Sequence, residues 1–436
     1  MSSTESTRAT IERPRSVRDV LRAVAGASVG NAVEWFDYSM YGYLSASIAV
    51  VFFPSENPTT AMLATFAAFA VSFVIRPVGG LFFGSMGDRI GRRNTLAIVV
   101  LLISGSTFAV GLLPGYAVIG VAAPILLITL RLLQGFSAGG EVAGSTAFLA
   151  EYAPVARRGF VVSFQNISAF LGALAGSSLV TALVAGLGTE VLNSWAWRIP
   201  FLVAGPLGLA ALYLRLKLED TPAFRDLQET GEVSSAPLRE SVRGNVPNIA
   251  RTFALAVMHN MPFYIILTYL PTYLVGRDDL PGGGPYLAAS VALVTAVLVL
   301  PAAGALSDRI GRRPVAAGAA IGYLLLAYPI FMLMSGGNLL GVLVGQVILG
   351  LLFGVYGSAP FSMMVELFPT RTRYSAVAIG YNLAAAAFGG TAPLVCALIV
   401  DWTGDDRSPA FYLMAATVLA IVAIFTAPET ARTRLR

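Results

Sequence analysis

The chain has 436 residues, of which 56% are Ala, Val, Ile, Leu, Met, Phe, Trp, Tyr or Cys and only 12% are Asp, Glu, Lys or Arg, and its mean hydropathy is +0.73. A soluble domain carries about twice that share of charge, so there is too little polar surface to clothe an apolar interior, and a water-soluble enzyme is excluded. One cysteine, Cys396, permits no internal disulfide, and one histidine, His259, leaves no Cys/His cluster for a transition metal. The formal charge of +5 arises from arginines scattered between apolar runs, not from a basic domain, which argues against nucleic acid as a partner.

The first 20 residues are polar and lack the apolar core of a cleaved signal, so residues 1–20 are expected to be a disordered cytoplasmic tail. Apolar stretches follow at about 23–52, 60–86, 94–113, 122–150, 160–186, 199–217, 251–275, 286–306, 314–335, 339–366, 374–400 and 409–427. A membrane crossing needs roughly 20 residues, and the expected fold is an all-α membrane protein with twelve transmembrane helices. A polar segment divides six from six, giving an N-terminal bundle over 21–217, an interdomain loop over 218–250, a C-terminal bundle over 251–428 and a short tail over 429–436. Basic residues gather on one side: Arg8, Arg13, Arg15, Arg18 and Arg22, then Arg89, Arg92 and Arg93, Arg157 and Arg158, Arg215 to Arg251, Arg309, Arg312 and Arg313, and Arg371 and Arg373. The other side keeps Arg198, Arg277 and Arg407, so both termini are expected in the cytoplasm.

The sequence repeats itself. Gly84-Ser-Met-Gly-Asp88-Arg-Ile-Gly91-Arg92-Arg93 returns 220 positions later as Gly304-Ala-Leu-Ser-Asp308-Arg-Ile-Gly311-Arg312-Arg313. Glu151-Tyr-Ala-Pro154-Val-Ala-Arg-Arg158 returns 215 positions later as Glu366-Leu-Phe-Pro369-Thr-Arg-Thr-Arg373. Two pseudo-symmetric six-helix halves follow, with a solute site expected between them at mid-depth.

The Gly-x-x-x-Asp-Arg-x-Gly-Arg-Arg turn, present twice in register, resembles the signature loop of the major facilitator superfamily. More narrowly, Gly30-Asn31-Ala-Val-Glu34-Trp35-Phe-Asp37, Arg76-Pro77-Val-Gly-Gly80, Arg131-Leu-Leu-Gln134-Gly135-Phe-Ser-Ala-Gly139-Gly140-Glu141 and Trp197-Arg198-Ile-Pro200-Phe201 resemble the metabolite:proton symporters. Known members of that family carry proline and betaine, 2-oxoglutarate, citrate or shikimate. Leu218-Glu-Asp-Thr-Pro222-Ala-Phe224 and Phe368-Pro-Thr-Arg-Thr-Arg-Tyr374 look most like the members that carry proline and betaine, whereas Phe164-Gln165-Asn166 and Arg131 look at least as much like the organic-acid carriers.

Ionisable residues inside spanning segments are costly and point to function. Five lie in the first half: Glu34 and Asp37 in helix 1, Arg76 in helix 2, Arg131 and Glu141 in helix 4. Three carboxylates against two guanidiniums leave one excess negative charge, so Glu34, Asp37 and Glu141 are the candidates for proton coupling within one shared cavity. Arg76 and Arg131 are expected to pair alternately with these acids and with a substrate carboxylate. Asn31, Gln165, Asn166, Asn260, Tyr264, Tyr356, Tyr381 and Asn382 supply neutral hydrogen-bonding groups for the same site. Trp35, Tyr38, Phe69, Phe73, Tyr264 and Tyr269 form a possible cage for a quaternary ammonium. His259 reads as a packed residue rather than a relay, and the series Gly135, Gly139, Gly140, Gly144 as a close-packing stripe.

The repeated turns suggest a conformational latch. The positive end of helix 11 should meet Asp88, and that of helix 5 should meet Asp308. The resemblance implies the same contacts, with Gly84, Arg89, Gly91 and Arg92, and Gly304, Arg309, Gly311 and Arg312, completing the latch. The expectation is a monomeric carrier of the bacterial inner membrane, without cofactor, using protons to drive uptake of a small zwitterionic or anionic metabolite. A proline- or betaine-like osmolyte comes first, an organic acid second, and a non-transporting sensor on a carrier scaffold is the distant alternative.

Overall fold

The computed structural model describes residues 17–275 and 284–435, so Arg8, Arg13, Arg15 and Arg277 lie outside the described residues. Every regular element among them is helical. Twelve long helices, numbered here in chain order, are α1 Val17–Tyr43, α2 Pro58–Val74 continuing as Arg76–Ile90, α3 Arg92–Leu112, α4 Ala122–Tyr152, α5 Arg158–Val191 and α6 Arg198–Leu216. The second half holds α7 Pro237–Tyr264, α8 Gly284–Ile310, α9 Arg312–Met334, α10 Leu339–Glu366, α11 Arg373–Ala384 continuing as Ala392–Thr403, and α12 Pro409–Thr426.

Several boundaries differ from the hydropathy reading. Residues 17–20 form the first turn of α1, so the expected disordered tail does not extend to residue 20. The first apolar stretch is two helices, α1 and a short Ser45–Phe52. The interdomain segment carries a nine-residue helix, Pro222–Thr230, capped by the Thr221 side chain and closed by Gly231 in the left-handed region, and α7 already starts at Pro237.

Ten helical stretches among the described residues are long and apolar enough to cross a membrane, and α1 and α7 are not among them. Both are diluted by polar residues, Asp19, Glu34 and Asp37 in one and Arg239, Glu240 and Arg251 in the other. They are also the opening helices of the two halves, and both border the central hollow described below. Lipid takes the place of solvent on the outside, where Val74, Phe82, Leu298 and Phe425 are exposed.

The two halves pack alike. α1 lies on α5 and α6, α3 on α4 and α6, and α2 on α4; correspondingly α7 lies on α11 and α12, α9 on α10 and α12, and α8 on α10. The seam between halves runs along α2–α11 and α5–α8, flanked by α4–α11 and α5–α10. Glycines set the closest approaches. A Cβ on Gly135 would run into the backbone of Ser72, and one on Gly139 into the backbone at Arg76 and Gly79, so α4 can touch α2 only where a side chain is missing. Gly135→Ala is therefore expected to cost about 1–3 kcal/mol of stability, lowering the thermal midpoint in detergent. Gly105→Ala, with nothing within 4 Å of the added carbon, should leave it in place.

Candidate functional site

The deep charges of the first half form three separate pairs, not one shared cluster. Glu34 of α1 is ion-paired with Arg76 of α2, both 1% exposed. Asp37, one turn along α1, takes Arg131 Nη1 of α4 at 3.0 Å, Thr107 Oγ1 of α3 at 3.1 Å and Gln134 Nε2 at 3.0 Å, while Gln134 also donates to Thr107 at 2.8 Å. Glu141 of α4 is held at both oxygens by Arg215 of α6, whose Nη1 lies 3.1 Å from Oε2 and whose Nη2 pairs with Oε1.

Arg215 overturns the expected excess of negative charge. It sits at the end of an apolar run and was counted with the topogenic loop arginines, yet it is 2% exposed and also donates to the carbonyls of Gly26 at 3.1 Å and Leu96 at 2.5 Å. The space it fills is left by Gly30, where a Cβ would collide with the guanidinium. Three carboxylates thus face three guanidiniums.

The pairs differ in how completely they are satisfied. Every oxygen of Asp37 and Glu141 has a partner. In the Glu34–Arg76 pair, by contrast, Glu34 Oε2 and Arg76 Nε and Nη1 are buried without a hydrogen-bond partner among the described residues. The Arg76 guanidinium lies 5.1 Å from the Tyr38 ring and 5.3 Å from that of Phe73. The hydroxyls of Tyr38 and Tyr264 in the same ring cluster are also without partners among the described residues. The expected aromatic cage therefore exists in Trp35, Tyr38, Phe69, Phe73 and Tyr264, but the cation against it is the protein's own Arg76. Tyr269 stacks instead on Tyr273, 5.8 Å away.

Beside this cluster lies the central hollow, lined by Asn31, Trp35, Val142, Gln165, Asn166, Ala169, His259, Asn260, Phe263, Phe361 and Tyr381, with room for about one water molecule. Among the described residues no charged side chain lines it. Pro262 and the π-helical turn Ile265–Tyr269 interrupt the regular ladder of α7 beside His259 and Asn260, and Pro360 does so in α10 next to Phe361. Asn31 and Gln165 pair reciprocally, at 2.7 and 2.8 Å, and tie α1 to α5. Asn166 donates across the seam to the Gly357 carbonyl at 2.8 Å. Six residues expected at the site do not line the hollow: Arg76, Tyr38 and Tyr264 lie in the ring cluster beside it, Asn382 donates to the Gly139 carbonyl at 2.8 Å, Tyr356 to Leu255 at 3.1 Å, and Arg131 is held over the Tyr41 ring, 3.6 Å from its centre.

The face bearing the repeated turns is closed by two matching networks. Asp88 accepts from Tyr374 N at 3.2 Å and Ser375 N at 2.8 Å in the first turn of α11; Asp308 accepts from Gly159 N at 2.8 Å and Phe160 N at 3.0 Å in the first turn of α5. Gly91 and Gly311, at φ 100° and 111°, make the tight turns, where a side chain would be strained. Gly84 and Gly304 let the backbones of α11 and α5 approach. Each aspartate also pairs with the arginine four residues on, Asp88 with Arg92 at 3.1 Å and Asp308 with Arg312 at 2.8 Å.

The second repeated motif completes the pattern. Glu151 takes Arg92 at 3.3 Å and, from the other half, Arg373 at 2.7 Å; Glu366 takes Arg312 at 3.2 Å and, from the other half, Arg158 at 2.8 Å. Each network holds two acids and two arginines. Arg89 and Arg309, expected in the latch, stand outside these buried networks: Arg89 reaches the Ser235 carbonyl at 2.9 Å, and the side chain of Arg309 is exposed.

A third repeat was missed at the sequence level. Asp220-Thr221 after α6 and Glu429-Thr430 after α12 do the same work. Asp220 accepts from Arg92 N at 3.1 Å and Glu429 from Arg312 N at 2.8 Å, capping α3 and α9, while Thr221 donates to Glu151 at 2.5 Å and Thr430 to Glu366 at 2.5 Å. Burial keeps the Asp220 carboxyl above its ordinary range despite these donors. Around Glu429 burial pushes the same way, but the N–H groups of Ala431, Arg312 and Arg313 outweigh it and hold the carboxyl below its ordinary range.

The model of the Major Facilitator Superfamily matches residues 28–373 and, in a second match, 286–436. The proline/betaine transporter of Salmonella typhimurium is 37% identical over 425 residues, 95% of this chain and 85% of that protein. The ectoine/proline transporter ProP of Corynebacterium glutamicum is 36% identical over 433 residues, 96% of this chain and 85% of that protein. Among solved structures, the proton:xylose symporter XylE bound to 6-bromo-6-deoxy-D-glucose superposes with a TM-score of 0.81 at 17% identity, covering 96% of this chain and 98% of its own.

Removing one charge from a seam network leaves its partner buried and uncompensated. Asp88→Asn is expected to lower the uptake rate. In a Cys396→Ala background, it should also speed maleimide labelling of a cysteine placed at Ala378, on the α2–α11 seam, by roughly fivefold, equivalent to about 1 kcal/mol. Unchanged labelling and uptake would mean that this contact does not control opening.

Proposed function

Because the chain belongs to the Major Facilitator Superfamily, a family of membrane transporters, we propose that it is a proton-coupled symporter that imports a small zwitterion of the proline or betaine kind by alternating access. The turn-bearing face, rich in arginine, is then cytoplasmic together with both termini, and the membrane is the bacterial inner membrane. The carrier works as a monomer and needs no cofactor beyond the coupling proton.

The observation that carries this reading is the incomplete Glu34–Arg76 pair. Among the described residues it is the one deep pair with unsatisfied atoms on both partners, and it stands next to the hollow. A proton on Glu34 Oε2 neutralises the acid and releases Arg76, whose free N–H groups, with the hydroxyls of Tyr38 and Tyr264, then receive the carboxylate of a solute. With proton and solute both present, Arg76 is matched by the solute carboxylate while the solute's ammonium lies against the aromatic and amide groups of the hollow, and with neither present the original pair re-forms. One without the other leaves a buried charge unpaired, which costs several kcal/mol. Reorientation is therefore confined to the doubly loaded and the empty carrier, which is what coupling requires.

The neutral lining of the hollow favours a net-neutral zwitterion over a di- or tricarboxylate, because its walls offer amides, an imidazole and aromatic faces but no second cation. Asp37 and Glu141, saturated by their partners, serve as interhelical pins. Glu34→Gln is expected to preserve exchange of proline across proteoliposome membranes while abolishing accumulation driven by an imposed pH gradient. Accumulation at the level of the unsubstituted protein would refute the assignment.

A further inference from the structure

Among the described residues, His259 is the imidazole at the hollow, and this mechanism leaves it unused. It sits on α7, 3% exposed, with its ring 4.4 Å from Phe361, 5.1 Å from Phe353 and 6.3 Å from Phe263, centre to centre. Among the described residues no acid pairs with it, and Nδ1 is buried without a hydrogen-bond partner. An imidazolium so enclosed would be an uncompensated charge, so the ring is neutral, with one nitrogen that donates and one that accepts.

Counting valences shows what the hollow still lacks. The two amide hydrogens of Asn31 go to the Gln165 carbonyl and to Ser168, and its oxygen accepts from Gln165. Asn260 donates to the Ala256 carbonyl and accepts from Tyr381. Among the described residues, the hollow-lining acceptors that are buried without a hydrogen-bond partner are the His259 ring and Gln165 Oε1. A buried acceptor with no donor costs about 1–3 kcal/mol, and native structures keep one where something else supplies the hydrogen.

We infer that His259 is a specificity-determining residue: its ring accepts a hydrogen bond from the N–H of a primary or secondary ammonium, so the carrier distinguishes solutes whose nitrogen bears hydrogen from quaternary ammonium solutes. The inference rests on the zwitterion reading above. A quaternary nitrogen has no hydrogen to give and is held by aromatic faces alone, here Trp35, Phe263 and Phe361. The two kinds of solute must therefore respond differently when the acceptor is removed.

The test is uptake of proline and of glycine betaine by the purified full-length carrier in proteoliposomes. His259→Phe keeps the ring and removes the acceptor; it is expected to raise KM for proline about five- to tenfold, with KM for glycine betaine within about twofold and the maximal rates of both retained. His259→Asn, which restores an acceptor, should recover most of the proline affinity, and His259→Leu, which like phenylalanine lacks one, serves if the phenylalanine variant does not fold. Equal shifts for both solutes, or none, would overturn the inference and leave His259 as packing or as the partner of a resident water. If the unsubstituted protein takes up neither solute, the zwitterion reading itself fails and the inference falls with it.

Discussion

A guanidinium buried in a low-dielectric interior must be matched by a carboxylate, and the arrangement of this molecule follows from that constraint. Arg76, Arg92, Arg131, Arg158, Arg215, Arg312 and Arg373 are all sealed from solvent, and each meets an acid. Such pairs contribute little net stability, because desolvation offsets most of their attraction, but breaking one partner away costs about 3–5 kcal/mol. The pairs are therefore better suited to fixing which arrangement forms than to holding it strongly. On the turn-bearing face this suits the proposed alternating access: were the halves to part, water would return and repay the desolvation.

Backbone contacts translate this pairing into position. Gly135 and Gly139 bring α4 against the α2 backbone at Ser72 and Arg76, and Arg76 reaches across to Glu34 on α1. Gly30 does the equivalent for Arg215, making room for its guanidinium between α1, α3 and α4. The pins at Asp37 and Glu141 then fix α1 relative to α3, α4 and α6, leaving Glu34 as the acid of α1 whose surroundings are unfinished.

Much of the fold was legible because membrane solvation and duplication both leave strong marks in sequence. The apolar runs marked all twelve spans, including the two opening helices, although polar residues leave those two less apolar than the other ten, and the repeat supported their division six and six. The aspartates of the repeated turns could be assigned to helix starts because a helix terminus is a fixed electrostatic target. Arg215 was misplaced because distance from the end of an apolar run does not reveal whether a side chain turns inward. Glu151 and Glu366 stood in a recognised repeat, but which half each arginine answers to is a tertiary fact. The Asp-Thr and Glu-Thr segments after α6 and α12 were readable in principle, and were overlooked because only one identical residue, the threonine, and one acid of changed length survive between much longer dissimilar stretches. Among the neutral candidates, sequence position could not tell the residues that line the hollow, such as Asn260 and Tyr381, from those such as Asn382 and Tyr356 that bridge helices.

The cross-seam pairs carry a record of origin. Glu151 holds Arg373 while its counterpart Glu366 holds Arg158, and Asp88 meets the start of α11 while Asp308 meets the start of α5. Reciprocal contact, with patch i on patch j and j on i, is the geometry of an isologous interface between two identical subunits. Fusing such a dimer into one polypeptide would preserve these crossed contacts at the waist even as the cores diverged, with Glu34 and Arg76 on one side and an imidazole among phenylalanines on the other. The chain thus reads as a fused homodimer whose asymmetry is concentrated in the deep charged pairs of its first half.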